Sequence, residues 1–361
     1  MPRSTRVLGT IGAMVLTVAL AACGSSDGAT ASTSSAASGA GGAGENAELT
    51  FVGYGGDGQN AMIKSWQEPY TKAHPGVSFV NTSPPDVAQV QADAVNWDVM
   101  AVAPAAAEQN CGTLFEPITY TGVAKSDLVD GAIGKCYVGN WVLSTPMAYR
   151  TDAFPDPSKA PKTIKDFFDT KKFPGQRGVV TNLQNGILEY PLLADGVSPD
   201  KMYPLDIDRA LKKWDTIRKD TTFAPNVGAL QQAVGSKQVD MFLLSDSRLV
   251  PLINQGMGIT IVWDETVASL NGTAIPKGSK NAAAAQEFLS SVTAPGPAAA
   301  IAENVGVTPV NKTAKPNLQG AAAKVQVYGP DNTGTTLLQD IGWYSKNFNE
   351  ATTKLTNWLA G

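Results

Sequence analysis

The sequence has one histidine, His74, and it stands before Pro75 at what reads as a helix end. Without a second candidate base near a nucleophile, and with no G-x-S-x-G anywhere, a serine or cysteine hydrolase has nothing to work with. The only cysteines are Cys23, Cys111 and Cys136, so no zinc centre can be assembled and no metal is expected. Lysine and arginine number 28 against 32 aspartates and glutamates, scattered along the chain, for a net charge of -4. No basic patch results, which excludes the electrostatic footprint of a nucleic-acid binder. Acids occur singly or at helix starts, and nothing pairs them for general acid–base work. No apolar run reaches the roughly 20 residues a membrane span requires. There is no internal repeat and no heptad. Together these gaps point away from an enzyme and from any cofactor.

What is present begins at the N-terminus. Arg3 and Arg6 precede an uncharged apolar run from Val7 to Ala22, the pattern of a secretory signal over residues 1–22. Leu20-Ala21-Ala22-Cys23 resembles the lipobox of bacterial lipoproteins. The resemblance implies cleavage before Cys23, a lipid thioether on its sulfur, and a protein on the outer side of the cytoplasmic membrane. That protein touches the bilayer only through its anchor. Residues 23–47 are nearly all Gly, Ala, Ser and Thr and read as a flexible tether. In an exported domain the remaining even pair, Cys111 and Cys136, is most simply a disulfide.

From residue 48 the chain alternates. Residues 48–52, 77–80 and 98–102 read as strands. Between them lie a helix carrying Ala61, Met62, Trp66 and Tyr70 and a shorter one over 87–94. This rhythm argues for a buried, mostly parallel α/β sheet with helices on both faces. Residues 138–149 are extended and apolar. Thr163 and Asp166 mark a helix start, and Asp206 caps a helix whose Ile207, Ala210, Leu211, Trp214 and Ile217 share one face. Residues 239–244 and 258–262 read as strands, Asn281 as the cap of a helix through Phe288 and Leu289. The C-terminal helix places Leu355, Trp358 and Leu359 on one side.

Gly53 to Gly58 matches G-x-G-x-x-G between a strand and a helix, but no acid stands about 20 residues on for a ribose hydroxyl. The expectation is instead a loop that lets a ligand approach backbone N–H groups. Ser144 and Thr145 end an apolar strand before Pro146, where hydroxyls can face a cleft. Arg248 follows the strand 239–244, and an arginine past the carboxyl end of a buried strand suits a carboxylate.

Longer segments carry a resemblance: residues 97–104, 111–117, 143–149, 168–178, 193–197 and 274–281. Over roughly 49–315 the chain resembles the solute-binding proteins of ABC transporters, in the branch of the spermidine/putrescine-binding proteins and their 4-aminobutyrate-binding relatives. The resemblance implies a two-lobed, type II periplasmic-binding-protein fold closing on a ligand like a hinge. The first lobe would comprise 48–145, the second 146–262, with 263–361 returning to the first. It implies a monomer that partners a small solute and a membrane permease. It also implies that Ser144, Thr145 and Arg248 face the cleft, with Arg248 on a ligand carboxylate.

The departures narrow the solute. Polyamine binders carry an acid where this chain has Asn271, and tyrosines where it has Ala105, Ala106 and Ala107. A buried ammonium without a carboxylate loses several kcal/mol. The expected ligand is therefore a small carboxylate or amino-acid-like molecule, with Tyr54 and Trp141 as aromatic walls. The alternatives are a polyamine binder, a sensory or scavenging lipoprotein of the same fold, and an exported enzyme.

Overall fold

The computed structural model describes residues 46–361. The signal segment, Cys23 and nearly all of the tether lie outside the described residues.

Ten strands form one sheet: β1 (Ala47–Val52), β2 (Val77–Thr82), β3 (Val99–Val102), β4 (Val138–Arg150), β5 (Arg177–Val180), β6 (Thr221–Ala224), β7 (Met241–Leu243), β8 (Ile259–Ala274), β9 (Thr308–Pro309) and β10 (Thr335–Leu338). Their order is β2-β1-β3-β8-β4-β7-β5-β6, with β10 on β8 and β9 on β4. The helices are α1 (Gly56–Met62), α2 (Glu68–Ala73), α3 (Val87–Gln91), α4 (Pro104–Gln109), α5 (Ile164–Phe168), α6 (Glu189–Ala194) and α7 (Ile207–Asp215). They continue with α8 (Val227–Gly235), α9 (Asp246–Asn254), α10 (Ala282–Ser291), α11 (Pro295–Val305), α12 (Gly320–Lys324) and α13 (Ile341–Ala360).

The centre of the molecule is the antiparallel pair of β4 and β8, 13 and 16 residues long and paired from Val138↔Thr273 to Arg150↔Ile259, with register shifts between Gly139 and Trp141 and between Thr145 and Met147. At one end β8 pairs with β3, and β1 lies parallel to β3 and β2. At the other end β4 pairs with β7, and β5 lies parallel to β7 and β6. Parallel pairing thus holds within each half, and the joint between halves is antiparallel. The stretch read as a strand ending at residue 262 is the first part of β8. Trp263, Asp264 and Glu265 interrupt the apolar run, but they sit at half-exposed positions and the backbone stays extended.

Each half has its own core. Leu49, Phe51, Trp66, Phe288 and Leu289 pack together in one. Phe167, Leu193, Trp214 and Met241 pack in the other. Burying one such side chain contributes roughly 1.5–3 kcal/mol. Between α1 and α2 the helix passes through one π-helical stretch, Ile63–Gln67. Asp86, Thr163 and Asp206 cap α3, α5 and α7 through their side chains. Asn281 does not cap α10 with its side chain: its amide reaches Glu48 O at 3.0 Å and Asp98 Oδ2 at 3.3 Å, tying β1 to the loop before α10. Cys111 and Cys136 form a disulfide.

The last helix, α13, lies on α4 and also against the central segment. Tyr344 Oη donates to Glu189 at 2.7 Å, and Trp358 Nε1 donates to Asp215 at 2.8 Å. Arg218 donates to Trp358 O at 3.0 Å, and Trp358 meets the edge of Phe223 at 5.2 Å.

Candidate functional site

Register alone locates a cleft. β3 runs toward the middle of β8, its last residue Val102 opposite Gly272. β7 runs toward the middle of β4 from the other side, its last residue Leu243 opposite Met147. The parallel neighbours β1 and β5 point the same ways as β3 and β7. The carboxyl ends of the strands in the two halves therefore face each other across the centre of β4 and β8. In α/β sheets that is where ligands bind.

Burial marks the same place. Along β4 every residue is buried except Leu143, and along β8 from Thr266 to Ala274 every residue is buried except Asn271. Leu143 pairs with Ser269 and Trp141 with Asn271. All four therefore stand on one face of the antiparallel pair. That face opens to solvent at Leu143 and Asn271, with Ser269 buried between them. Around Ser269 a cavity of about 30 Å³ is enclosed by Ala103 and Ala105 from one half, Leu183 and Gln184 from the other, and Gln339 and Tyr344 from the C-terminal segment. It has room for at least one group the size of a water molecule. Gln184 crosses from the second half to donate to Leu270 O at 3.4 Å.

The residues nominated from sequence divide here. Ser144 is buried, and both its N–H and its hydroxyl donate to Asp246 Oδ2, at 2.8 and 3.0 Å. Ser247 N–H donates to the other oxygen at 2.6 Å. Asp246, the first residue of α9, is fully buried, and burial pushes its pKa up to about 7 against the pull of these bonds. The Ser144 hydroxyl is thus spent on the protein's own carboxylate. Thr145 Oγ1 accepts from Asn185 Nδ2 at 3.0 Å, and its carbonyl accepts from the Tyr190 hydroxyl, which in turn accepts Val267 N–H at 2.9 Å. Asn271 is half-buried and its Oδ1 accepts from Asn140 at 3.4 Å.

Trp141 belongs to the core: 6 % exposed, its ring lies 5.9 Å from that of Trp66. That contact corrects its nomination as a cleft wall. Arg248 is exposed on α9. It follows Asp246 by two positions, roughly 200° around a helix of 3.6 residues per turn. With Asp246 turned inward to β4, Arg248 faces away from the hydroxyls. Tyr54 is 52 % exposed, yet protein atoms crowd its hydroxyl enough to push its pKa up to about 12.

The glycine loop is held from inside. Gly55 and Gly56 have φ of 73° and 57°, which favour glycine. Gly55 N–H donates to Gln59 Oε1 at 2.9 Å, and Gln59 Nε2 donates to Thr82 O at 3.1 Å. That amide is therefore turned inward rather than presented to a ligand. Sequence reading passed over Ser269, Asp246, Gln184 and Glu189. Asp246 alone carried a signal, as the acid beside the nominated Arg248.

A family model described as bacterial extracellular solute-binding protein matches residues 31–327. The chain is similar to the gamma-aminobutyric acid-binding protein of Pseudomonas aeruginosa, 26% identical over 307 residues covering 77% of this chain and 86% of that one. Among solved structures it is similar to a GABA receptor, with 29% identity, a TM-score of 0.78 and coverage of 86% of this chain and 97% of that chain. It is also similar to the binding protein AgtB of A. tumefaciens R10 in complex with agropinic acid, with 27% identity, a TM-score of 0.74 and coverage of 87% and 99%.

Proposed function

The chain belongs to the bacterial extracellular solute-binding protein family, and from that premise we propose that it is the lipid-anchored capture subunit of an ABC importer for a small organic carboxylate. Its lobes are residues 48–145 with the return from 263, and residues 146–262. One observation carries the reading: the strand ends of the two halves converge on the one face of β4 and β8 that opens, at Leu143 and Asn271. A solute seated there touches both lobes. Only contacts made with both lobes at once can favour the closed form over the open one. The closed form is then what a permease receives.

The relatives named for 4-aminobutyrate and agropinic acid support a carboxylate-bearing solute. Arg248, exposed in the first turn of α9, supplies a guanidinium for it. Arg248→Ala is expected to weaken a carboxylate solute more than tenfold by isothermal calorimetry. Unchanged affinity removes that assignment and leaves capture between lobes intact. A polyamine is disfavoured because Asp246, buried at the crossing, already has both oxygens engaged by Ser144 and Ser247. Putrescine or spermidine giving the largest thermal shift in a solute screen overturns the carboxylate reading.

The anchor rests on Cys23 and the apolar run before it. Cys23→Ser is expected to move the protein from the membrane fraction to the soluble one, because one residue carries the whole attachment. Retention of the variant in membranes sinks this part of the proposal.

A further inference from the structure

We propose that Ser269 reads the inner end of the solute, and that this end is an uncharged hydrogen-bonding group the size of a hydroxyl; the inference rests on the carboxylate-capture reading above. Ser269 lies on β8 between the buried Val267 and the half-buried Asn271, on the face that opens to solvent. It is 4 % exposed, and its Oγ has no hydrogen-bond partner among the described residues. It lines the cavity where the two halves meet. A buried hydroxyl without a partner is costly and uncommon. A partner that arrives with the solute accounts for this one.

The chemistry of that partner follows from what surrounds the cavity. A serine hydroxyl donates once and accepts twice, so another hydroxyl matches it in either direction. An ammonium only donates, and it carries a charge that needs a carboxylate. Asp246 cannot serve: its oxygens are taken by Ser144 and Ser247, and Ser144 stands on the opposite face of β4 from Leu143. Glu189 stands behind Gln339 and Tyr344, which line the cavity and both donate to its Oε1. Asn271, Gln184 and Gln339 offer amides and no charge. The space around Ser269 is narrow and takes the end of a small solute rather than its body. The solute is then a carboxylic acid bearing a hydroxyl at its far end.

Calorimetry of the full chain with 4-hydroxybutyrate, 4-aminobutyrate and butyrate tests this. The hydroxy acid is expected to bind at least tenfold tighter than either of the others. Ser269→Ala is expected to erase its advantage over butyrate without lowering the Tm of the solute-free protein. Ser269→Cys, similar in size but a weak donor, should fall between. Tighter binding of 4-aminobutyrate, or an advantage that survives Ser269→Ala, overturns the inference and leaves carboxylate capture standing. A fall in Tm with the order of affinities unchanged makes Ser269 structural and also overturns it. If none of the three acids binds, carboxylate capture fails and the inference fails with it.

Discussion

Arg177→Met is expected to destabilise the second half by about 3–5 kcal/mol, the range found when one partner of a buried charged contact is removed. Arg177 opens β5 and is fully buried, with no carboxylate bonded to it. Its guanidinium donates instead to backbone carbonyls: Phe167 O at 2.9 Å, Gly175 O at 2.7 Å and Phe173 O at 2.6 Å, with Asp169 O more distant at 3.5 Å. Its rigid fork thus clamps the segment between α5 and β5 through these four contacts. Burial pulls the pKa of Arg177 below its ordinary value, with Asp220, Asp240 and Asp169 opposing the shift. Methionine fills the stem's volume but leaves those carbonyls without donors. Arg177→Lys should fail to restore stability, because an ammonium cannot reach three carbonyls set in a plane. The measurement is thermal unfolding followed by circular dichroism, with a drop of about 10 °C expected for Arg177→Met. A melting point within a degree or two of the parent's would show that the carbonyls find other partners.

Arg177 also shows where the sequence is opaque. It lies in the segment 168–178, whose wording resembled a family pattern before its physical reason was visible. A charged residue at the head of a four-residue strand reads as loop, so β5 went unseen, whereas β1, β2 and β3 announced themselves by apolar runs. β8 was cut short because Trp263, Asp264 and Glu265 break the apolar pattern at half-exposed positions. The two long central strands were legible in part, and Ser144, Thr145 and Asn271 all fall on them. Which side chains are free to meet a solute was not legible. Ser144 and Asp246 are 102 positions apart, and only folding brings the hydroxyl onto the carboxylate. Arg248 was nominated from its distance to a strand end. The phase of α9 was not readable: Asp246 takes the inward position against Ser144, and Arg248 the exposed one. The face of α13 was readable from Leu355 and Trp358, but the pairing of Tyr344 with Glu189 across 155 positions was not.

The stability of the native state is expected to fall as pH rises from 5 to 8, and Glu189→Gln is expected to flatten that fall. Glu189 is fully buried, and its Oε1 accepts from Tyr203 at 2.9 Å, Gln339 at 2.8 Å and Tyr344 at 2.7 Å. Its Oε2 is buried without a partner among the described residues, and no cation is bonded to it. Burial raises its pKa above the ordinary carboxylate value, with the three donors opposing. Burial likewise raises Asp246 to about 7. For an acid whose folded pKa is raised, the contribution to stability is complete below the unfolded pKa and disappears as pH rises through the folded one. For Asp246 the rise of about three units corresponds to roughly 4 kcal/mol, lost between about pH 4 and 7. The acids shifted the other way, Asp152, Asp156, Asp195 and Asp200, have lowered pKa values. Their contributions disappear only as pH falls through the folded values, so they are constant above pH 5. The interval from 5 to 8 therefore reports the acids raised by burial, Glu189, Asp246 and the half-buried Glu265, and the Glu189 variant separates out its own share. In Glu189→Gln the amide oxygen still accepts the same three donors, while the uncompensated charge is gone. The variant should match the parent near pH 5 and exceed it at pH 8 in urea unfolding. A parent equally stable at both pH values, or a variant weaker than the parent at pH 8, would mean that the tyrosines solvate the Glu189 anion well enough to make burial harmless.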